Sequence, residues 1–204
     1  MQEIHDPYFI QPYIAAYLRL KDRSFSHYFL LALADYKDSS DVLNFVLTVL
    51  KQNPKDGDFV YSLRIVADLA YVDTEVADLC LKSVKNFSES AETNDIRDTF
   101  GDLGARLNYL EICGRLGDAS ELLRSMFFNE HLDQNDRMSI FSALLKSPNE
   151  TLRWVKQVHN TLHDTSGEVI VAKTLIKWRG SLVDEILALI KADPDTRASE
   201  IIRE

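Results

Sequence analysis

The sequence predicts an all-α fold in which antiparallel helix pairs stack into a short, curved α-solenoid of about 11–12 helices. A helix-start signal recurs about every 16 or 17 residues from the beginning of the chain. Apolar side chains follow each signal at spacings of three and four, which places them along one face of a helix. The best strand candidate, residues 169–171, continues directly into a helical pattern. Short connections favour antiparallel neighbours, so an open stack suits this chain better than a closed bundle.

The early helices begin at residues that suit the first turn of a helix. Asp6 and Pro7 form the first such start, although Pro12 favours regular helix only from about that point onward. Ser24 is the capping candidate of the second helix, and Ser39 or Ser40 is that of the third. The predicted helices cover residues 7–20, 24–36, 40–52, 58–71, 74–87, 94–114, 118–129, 135–146, 148–163, 168–178 and 181–192, with a short last helix after Asp193.

The later helices are bounded in the same way. Asp58 and Asp73 begin the fourth and fifth helices, and a longer sixth helix follows. A turn at Gly117 precedes the seventh helix, and Asp133 or Asn135 begins the eighth. Pro148 begins the ninth, and glycines precede the last two long helices. Helices of this length bury one apolar stripe and are unstable alone, so they require neighbours.

We expect residues 1–204 to form a single helical-repeat domain. The helical rhythm is interrupted at Ser88–Thr93, a small and polar run that predicts a connection. Sub-units covering 1–88 and 94–204 are therefore an alternative organisation.

Charge and composition exclude several functions. The net charge is −9, so binding to a phosphate backbone is disfavoured and no nucleic-acid partner is expected. The acidic excess lies in residues 1–150, which favours a basic partner, although solubility alone also accounts for it. No apolar run reaches the length of a membrane span, and no secretory signal is visible at Met1. With Cys80 and Cys113 read as buried free thiols, these features favour a cytoplasmic location.

Residues with catalytic chemistry do not form a recognisable motif. His159 and His163 are four apart on one predicted helix, but the zinc-site glutamate is missing and no third ligand is implied. Neither a nucleophile elbow nor a phosphate-binding loop is present. The sequence therefore predicts no catalytic residues, no metal and no cofactor.

Acidic and aromatic side chains are the remaining functional candidates. Aspartates and glutamates in the first turn of a helix are explained by their favourable interaction with the helix dipole. The remaining acidic residues can form an acidic face that binds a partner. Aromatic residues crowd the first 30 positions, and the run 126–128 exceeds what one helix face can bury. The candidate partner-binding residues are Asp68, Asp78, Glu89, Glu92, Asp98, Tyr8, Tyr13, Tyr17 and Phe128.

Two segments resemble known helical repeats. Leu63–Phe87 is similar to a HEAT-type unit, with a tight turn at Asp73 and apolar residues at inward spacings. Leu107–Phe128 resembles a tetratricopeptide-type turn, with Gly117 after a tyrosine-bearing helix. The resemblance implies a helical-repeat protein that binds other proteins along a concave face.

These observations predict a non-catalytic scaffold that holds a protein segment, of basic character, against an acidic, concave helical surface. Three alternatives remain open. The chain is a C-terminal helical module of a larger enzyme, a HEAT-like nucleic-acid enzyme (which the net acidity disfavours), or a metal-dependent enzyme that uses His159 and His163. The sequence does not determine the oligomeric state.

Overall fold

The computed structural model describes residues 6–21, 23, 25–52, 56–92, 103–127, 129, 132, 134–144, 146 and 181–192. All regular structure in these residues is helical, which confirms the all-α prediction for the part described. Its nine α-helices are α1 (Ile10–Leu20), α2 (His27–Leu33), α3 (Ser40–Lys51), α4 (Asp56–Asp68), α5 (Thr74–Glu92), α6 (Leu103–Ile112), α7 (Ser120–Phe127), α8 (Gln134–Leu144) and α9 (Ser181–Ala192). Short 3-10 turns cover Pro7–Phe9, Ala34–Tyr36 and Leu116–Ala119.

The chain start folds as its capping signals predict. The Tyr8 backbone N–H donates to the Asp6 carboxylate at 3.0 Å, which caps the 3-10 turn that leads into α1. Pro12 is the third residue of α1, where a backbone N–H has no partner within the helix. The proline therefore does not delay the helix, which begins at Ile10.

Several boundaries differ from the prediction, and α2, predicted to begin at Ser24, begins at His27. Asp58 lies inside the first turn of α4, because that helix begins two residues earlier, at Asp56. The run Ser88–Glu92, predicted as a connection, is the last part of α5. Serine, alanine and glutamate are acceptable helix residues, so polarity alone does not end a helix whose other face is buried.

Several predicted segments lie outside the described residues. These are residues 94–102 of the predicted sixth helix, the helices at 148–163 and 168–178, and the short last helix. The prediction for 181–192 matches α9.

The chain forms two compact units, 1–119 and 120–204. Within the first unit, α1 packs on α2, α3 on α4, and α5 on α6. Helices two apart also meet: α1 contacts α3, α2 contacts α4, α3 contacts α5 and α4 contacts α6. The predicted pairing of neighbouring helices is thus present in the first unit: α4 belongs to the second pair and α5 to the third.

Side-chain bonds align the first two pairs. Gln11 donates to Asp41 at 3.2 Å, which joins the starts of α1 and α3. Lys37, which follows the 3-10 turn after α2, forms an ion pair at 3.3 Å with Asp68 at the end of α4. The third pair departs from this register, because the last residue of α3, Lys51, contacts the residues at the start of α5. The curved solenoid shape stays a prediction.

The helices α4 and α6 end in the same backbone motif. After α4, the Tyr71 N–H donates to the Val66 carbonyl at 3.1 Å, and Ala70 has a φ of 48°. After α6, the Arg115 N–H donates to the Leu110 carbonyl at 2.8 Å, and Gly114 has a φ of 67°. This bond pattern is the Schellman motif, whose left-handed position favours glycine.

A buried tyrosine holds the turn between α4 and α5. The hydroxyl of Tyr109 donates to the Tyr71 carbonyl and accepts from the Asp73 N–H, each at 3.1 Å. Burial raises the pKa of this phenol well above its ordinary value. Asp73 in turn caps α5 through the Val76 N–H at 3.1 Å. The predicted cap of α5 is therefore present, and Tyr109 of α6 holds it in position.

In the second unit, α7 packs on α8. The rings of Phe127 and Phe141 lie 5.6 Å apart in its core. Arg137 of α8 donates to the carbonyls of Phe127 and Asn129 at 3.3 and 2.6 Å, which satisfies groups at the end of α7. In α9, Val183 and Ile186 are buried.

Candidate protein-binding surface

Two of the acidic candidates are exposed but engaged within the chain. Asp68 pairs with Lys37 at 3.3 Å. Asp78 pairs with Arg115, whose Nε also donates to Asp118 at 2.9 Å. Such surface pairs contribute little to stability and leave the carboxylates hydrated. Their local charge is nevertheless partly cancelled by the chain itself.

Four further candidates have no described side chain. Glu89 and Glu92 belong to the last turns of α5, where the structure describes only the helix. Asp98 and Phe128 lie outside the described residues. The acidic face predicted around α5 therefore stays a prediction.

The three aromatic candidates separate into different environments. Tyr8 is 78% exposed, and Tyr13 is half-buried. Tyr17 is only 4% exposed, and its ring meets Phe45 edge-on at 5.5 Å. Tyr17 is thus a core residue, and its proposed role in a surface was wrong. Packing of α1 on α2 and α3 covers this part of the helix.

Four rings form a continuous surface row that we call the aromatic ladder: Tyr8, Phe9, Tyr13 and Tyr36. Tyr8 meets Phe9 edge-on with centroids 6.1 Å apart, and Phe9 stacks on Tyr13 at 6.2 Å. The Tyr13 ring then lies 6.3 Å from that of Tyr36, across the α1–α2 pair. Phe9 is 47% exposed, so the row is accessible from outside.

Two carboxylates lie close to one ring of the aromatic ladder, that of Tyr36. Partial burial raises the pKa of the Tyr36 phenol above its ordinary value, and Tyr13 adds to this effect. The negative charges of Asp35 and Asp6 raise it further, which places both carboxylates near the ring. Both aspartates are exposed, so their charges are accessible to a partner.

A buried polar network lies beneath this surface, and the sequence did not reveal it. The Tyr17 hydroxyl donates to Asp58 at 2.9 Å, and the Ser26 hydroxyl lies 3.1 Å from both oxygens of the same carboxylate. Asp58 is 5% exposed, and no described lysine, arginine or histidine forms an ion pair with it. Its place in the first turn of α4 favours the negative charge through the helix dipole. The network cross-links α1, the start of α2 and α4, so it is structural.

The rings of a second aromatic group contact one another and a guanidinium of the same chain. The His27 ring stacks on Tyr61 at 5.4 Å with an angle of 9° between the planes, and it lies 4.3 Å from the Tyr28 ring. The guanidinium of Arg64 lies over the Tyr61 ring at 5.7 Å. His27, which appears isolated in the sequence, is therefore part of an aromatic stack.

Reactive groups do not gather into a catalytic site in the described part of the chain. Burial raises the pKa of the Cys80 thiol to about 12, which keeps it protonated and unreactive near neutral pH. Among the described residues, no three His, Cys, Asp or Glu side chains lie close enough to hold a metal ion. His159 and His163 lie outside those residues, so the hypothesis that they bind a metal ion stays untested.

The helices of the described ranges are all too short or too polar to cross a membrane.

Comparison of the chain with protein-family models, with curated proteins and with solved structures gives no match. The HEAT-like and tetratricopeptide-like resemblance therefore stays a prediction.

Proposed function

We propose that this chain is a non-catalytic protein-interaction module that binds a basic segment of another protein on the aromatic ladder. The exposure of Tyr8 and Phe9 on the ladder, together with the carboxylates of Asp6 and Asp35 near Tyr36, carries the proposal. Large aromatic side chains in water are costly to maintain, and tyrosine and phenylalanine are enriched where proteins meet. The acidic net charge of −9 supports attraction of a basic partner over distance.

This location refines the surface expected from the sequence. Asp68 and Asp78 are paired with Lys37 and Arg115, whereas the ladder offers both apolar area and negative charge. Aromatic faces attract cations through their quadrupole, and adjacent carboxylates strengthen that attraction. The ladder is therefore the better docking surface of the two.

The proposal is tested with labelled peptides and the full chain. We expect a 12-residue peptide of alternating basic and serine residues to bind in fluorescence anisotropy, and its glutamine counterpart not to bind. Raising salt from about 0.05 to 0.3 M should weaken the complex, because exposed charges are screened. A Tyr8→Ser, Phe9→Ser variant should lose binding, whereas the matched control Tyr28→Ser, which removes another exposed ring, should retain it.

A second variant separates charge from ring contact. Asp6→Asn with Asp35→Asn keeps the ladder but removes its flanking charges, and we expect weaker binding with a smaller salt dependence. Circular dichroism of every variant checks that the fold is retained. Equal affinity for the basic and glutamine peptides, or full affinity in the Tyr8 and Phe9 variant, would exclude the proposed function.

A further inference from the structure

The helix α2 is apolar on the side that faces water as well as on the side that faces the core. Six of the seven residues of His27–Leu33 are aliphatic or aromatic. Leu30 and Leu33 are buried, whereas Tyr28 is 62% and Leu31 49% exposed. An apolar surface all round is typical of a helix that is covered on every side. The outward side of α2 therefore lacks the cover that its sequence indicates.

The exposed side chains form one stripe along α2. Tyr28 and Leu31 are three residues apart, which places them together on the side away from the buried Leu30 and Leu33. Phe25, which is 45% exposed, precedes Tyr28 by another three residues, and the Tyr28 N–H donates to the Phe25 carbonyl at 3.2 Å. A bond across three residues brings the two side chains onto the same side. We call Phe25, Tyr28 and Leu31 the outer stripe, which shares no residue with the aromatic ladder.

The two ends of α2 carry opposite charges. The connection from α1 to α2 contains three charged residues, two of them basic: Lys21, Asp22 and Arg23. Both basic side chains are exposed. After α2, Asp35 and Asp38 are exposed, and the intervening Lys37 is held in the ion pair with Asp68. The start of α2 is therefore basic and its end acidic.

We propose that the outer stripe is the interface of a two-fold dimer, in which a second copy of this chain presents its own outer stripe. A two-fold axis across the middle of α2 makes the two helices antiparallel. Tyr28 of one copy then meets Leu31 of the other, and the basic start of each helix meets the acidic end of the other. A wholly basic or wholly acidic partner would be repelled at one end, so the charges favour an identical copy.

The size of the outer stripe indicates a weak dimer. A whole aromatic side chain presents about 150–250 Å², so the exposed parts of the stripe amount to roughly 300 Å² per copy. Stable complexes bury about 800 Å² per partner, and smaller interfaces are typical of transient association. The net charge of −9 on each copy adds repulsion between the copies. We therefore expect a dissociation constant in the tens of micromolar.

Sedimentation velocity of the full chain from about 2 to 400 µM measures this equilibrium. The wild type should change from monomer to dimer over that range. Leu31→Ser should weaken the dimer about tenfold, because a two-fold interface loses each contact twice. The matched control is Leu18→Ser, which removes a leucine of α1 that is 55% exposed and should leave the dimer unchanged. Circular dichroism checks that each variant keeps its fold.

Charge reversal tests the antiparallel arrangement. Arg23→Glu and Asp38→Lys each place like charges at both ends of the interface, so either variant alone should dimerise at least tenfold more weakly than the wild type. Asp38→Lys also makes the net charge less negative, so general repulsion between copies does not explain its loss. When the two variants are mixed in equal amounts, opposite charges meet again at both ends, and a heterodimer should form about as strongly as the wild-type dimer.

Each failure of these expectations overturns the inference. A wild-type chain that stays monomeric throughout the range would leave the outer stripe to a different protein. Equal dimerisation of Leu31→Ser and Leu18→Ser would place the interface elsewhere, and a mixture of the charge variants that associates no better than either alone would exclude the antiparallel arrangement. The proposed function is measured separately, because the Tyr8→Ser, Phe9→Ser variant should lose peptide binding but dimerise as the wild type does.

Discussion

Replacing Tyr17 by phenylalanine should destabilise the first unit by about 2 kcal/mol. The hydroxyl of Tyr17 donates to the buried Asp58 carboxylate at 2.9 Å. A hydrogen bond to a charged group contributes about 1.5–3 kcal/mol, and its removal leaves a buried acceptor without that partner. The ring remains in place against Phe45, so the substitution creates little cavity. The loss of unfolding free energy therefore measures the contribution of the hydroxyl group.

The companion variant removes the second donor. The hydroxyl of Ser26 lies 3.1 Å from both oxygens of Asp58, so Ser26→Ala should cost a similar amount. With Tyr17→Phe and Ser26→Ala combined, the carboxylate lacks both hydroxyl donors. We expect the combined loss to be at least the sum of the two single losses, because each donor partly compensates for the absence of the other.

Urea denaturation followed by circular dichroism measures these changes in the full chain. Hydrogen exchange of peptides from α1 and α4 locates the loss in the first unit. The control is Tyr28→Phe, which removes the hydroxyl of a ring that is 62% exposed and should change stability by less than about 0.5 kcal/mol. If Tyr17→Phe is no more destabilising than Tyr28→Phe, the buried network does not stabilise the fold as argued.

Two further predictions follow from the helix ends. Ala70→Gly should stabilise the chain by about 1 kcal/mol, and Gly114→Ala should destabilise it by about as much, because both residues have a positive φ. A Cβ at Gly114 would meet no atom within 4 Å, so the loss there reports the backbone alone. Urea denaturation measures both changes, and stability changes of the same sign would contradict the backbone explanation. Burial acts to raise the pKa of Asp73, but the Lys51 ammonium and the helix N–H groups outweigh it and hold that pKa below its ordinary value. The folded state therefore gains stability from the ionised carboxylate above about pH 4, and this gain is lost as the pH falls below that value. The stability difference between the wild type and Asp73→Asn should shrink on acidification in urea titrations at several pH values, and a constant difference would refute the assignment.

The helices themselves were largely predictable from local signals. Caps and apolar spacings act within one or two turns, so they located α3 and α9 closely. Local polarity was misleading at Ser88–Glu92, because serine, alanine and glutamate are compatible with a helix and α5 continues to Glu92. Asp58 was expected at the start of the fourth helix, and its buried role was not visible because its hydrogen-bond donors come from residues 41 and 32 positions away in the chain.

The candidate surface was predictable only in part. Tyr8 and Tyr13 were expected on a binding surface, and the structure places both on the aromatic ladder. Tyr17 lies four residues after Tyr13 on the same side of α1, yet it is buried. Helical spacing identifies the side of a helix, but neighbouring helices determine how far along that side the protein covers it.

The sequence by itself determined the all-α class and the positions of most helices, because short-range capping, proline geometry and apolar periodicity require no distant partner. Only the tertiary structure decided which aromatic rings meet water. Tyr36 joins the ladder through the packing of α2 on α1. Asp58 lies in α4, and its hydrogen-bond donors are Tyr17 of α1 and Ser26 just before α2. Those contacts join residues far apart in the chain, and their geometry exists only once the helices have packed.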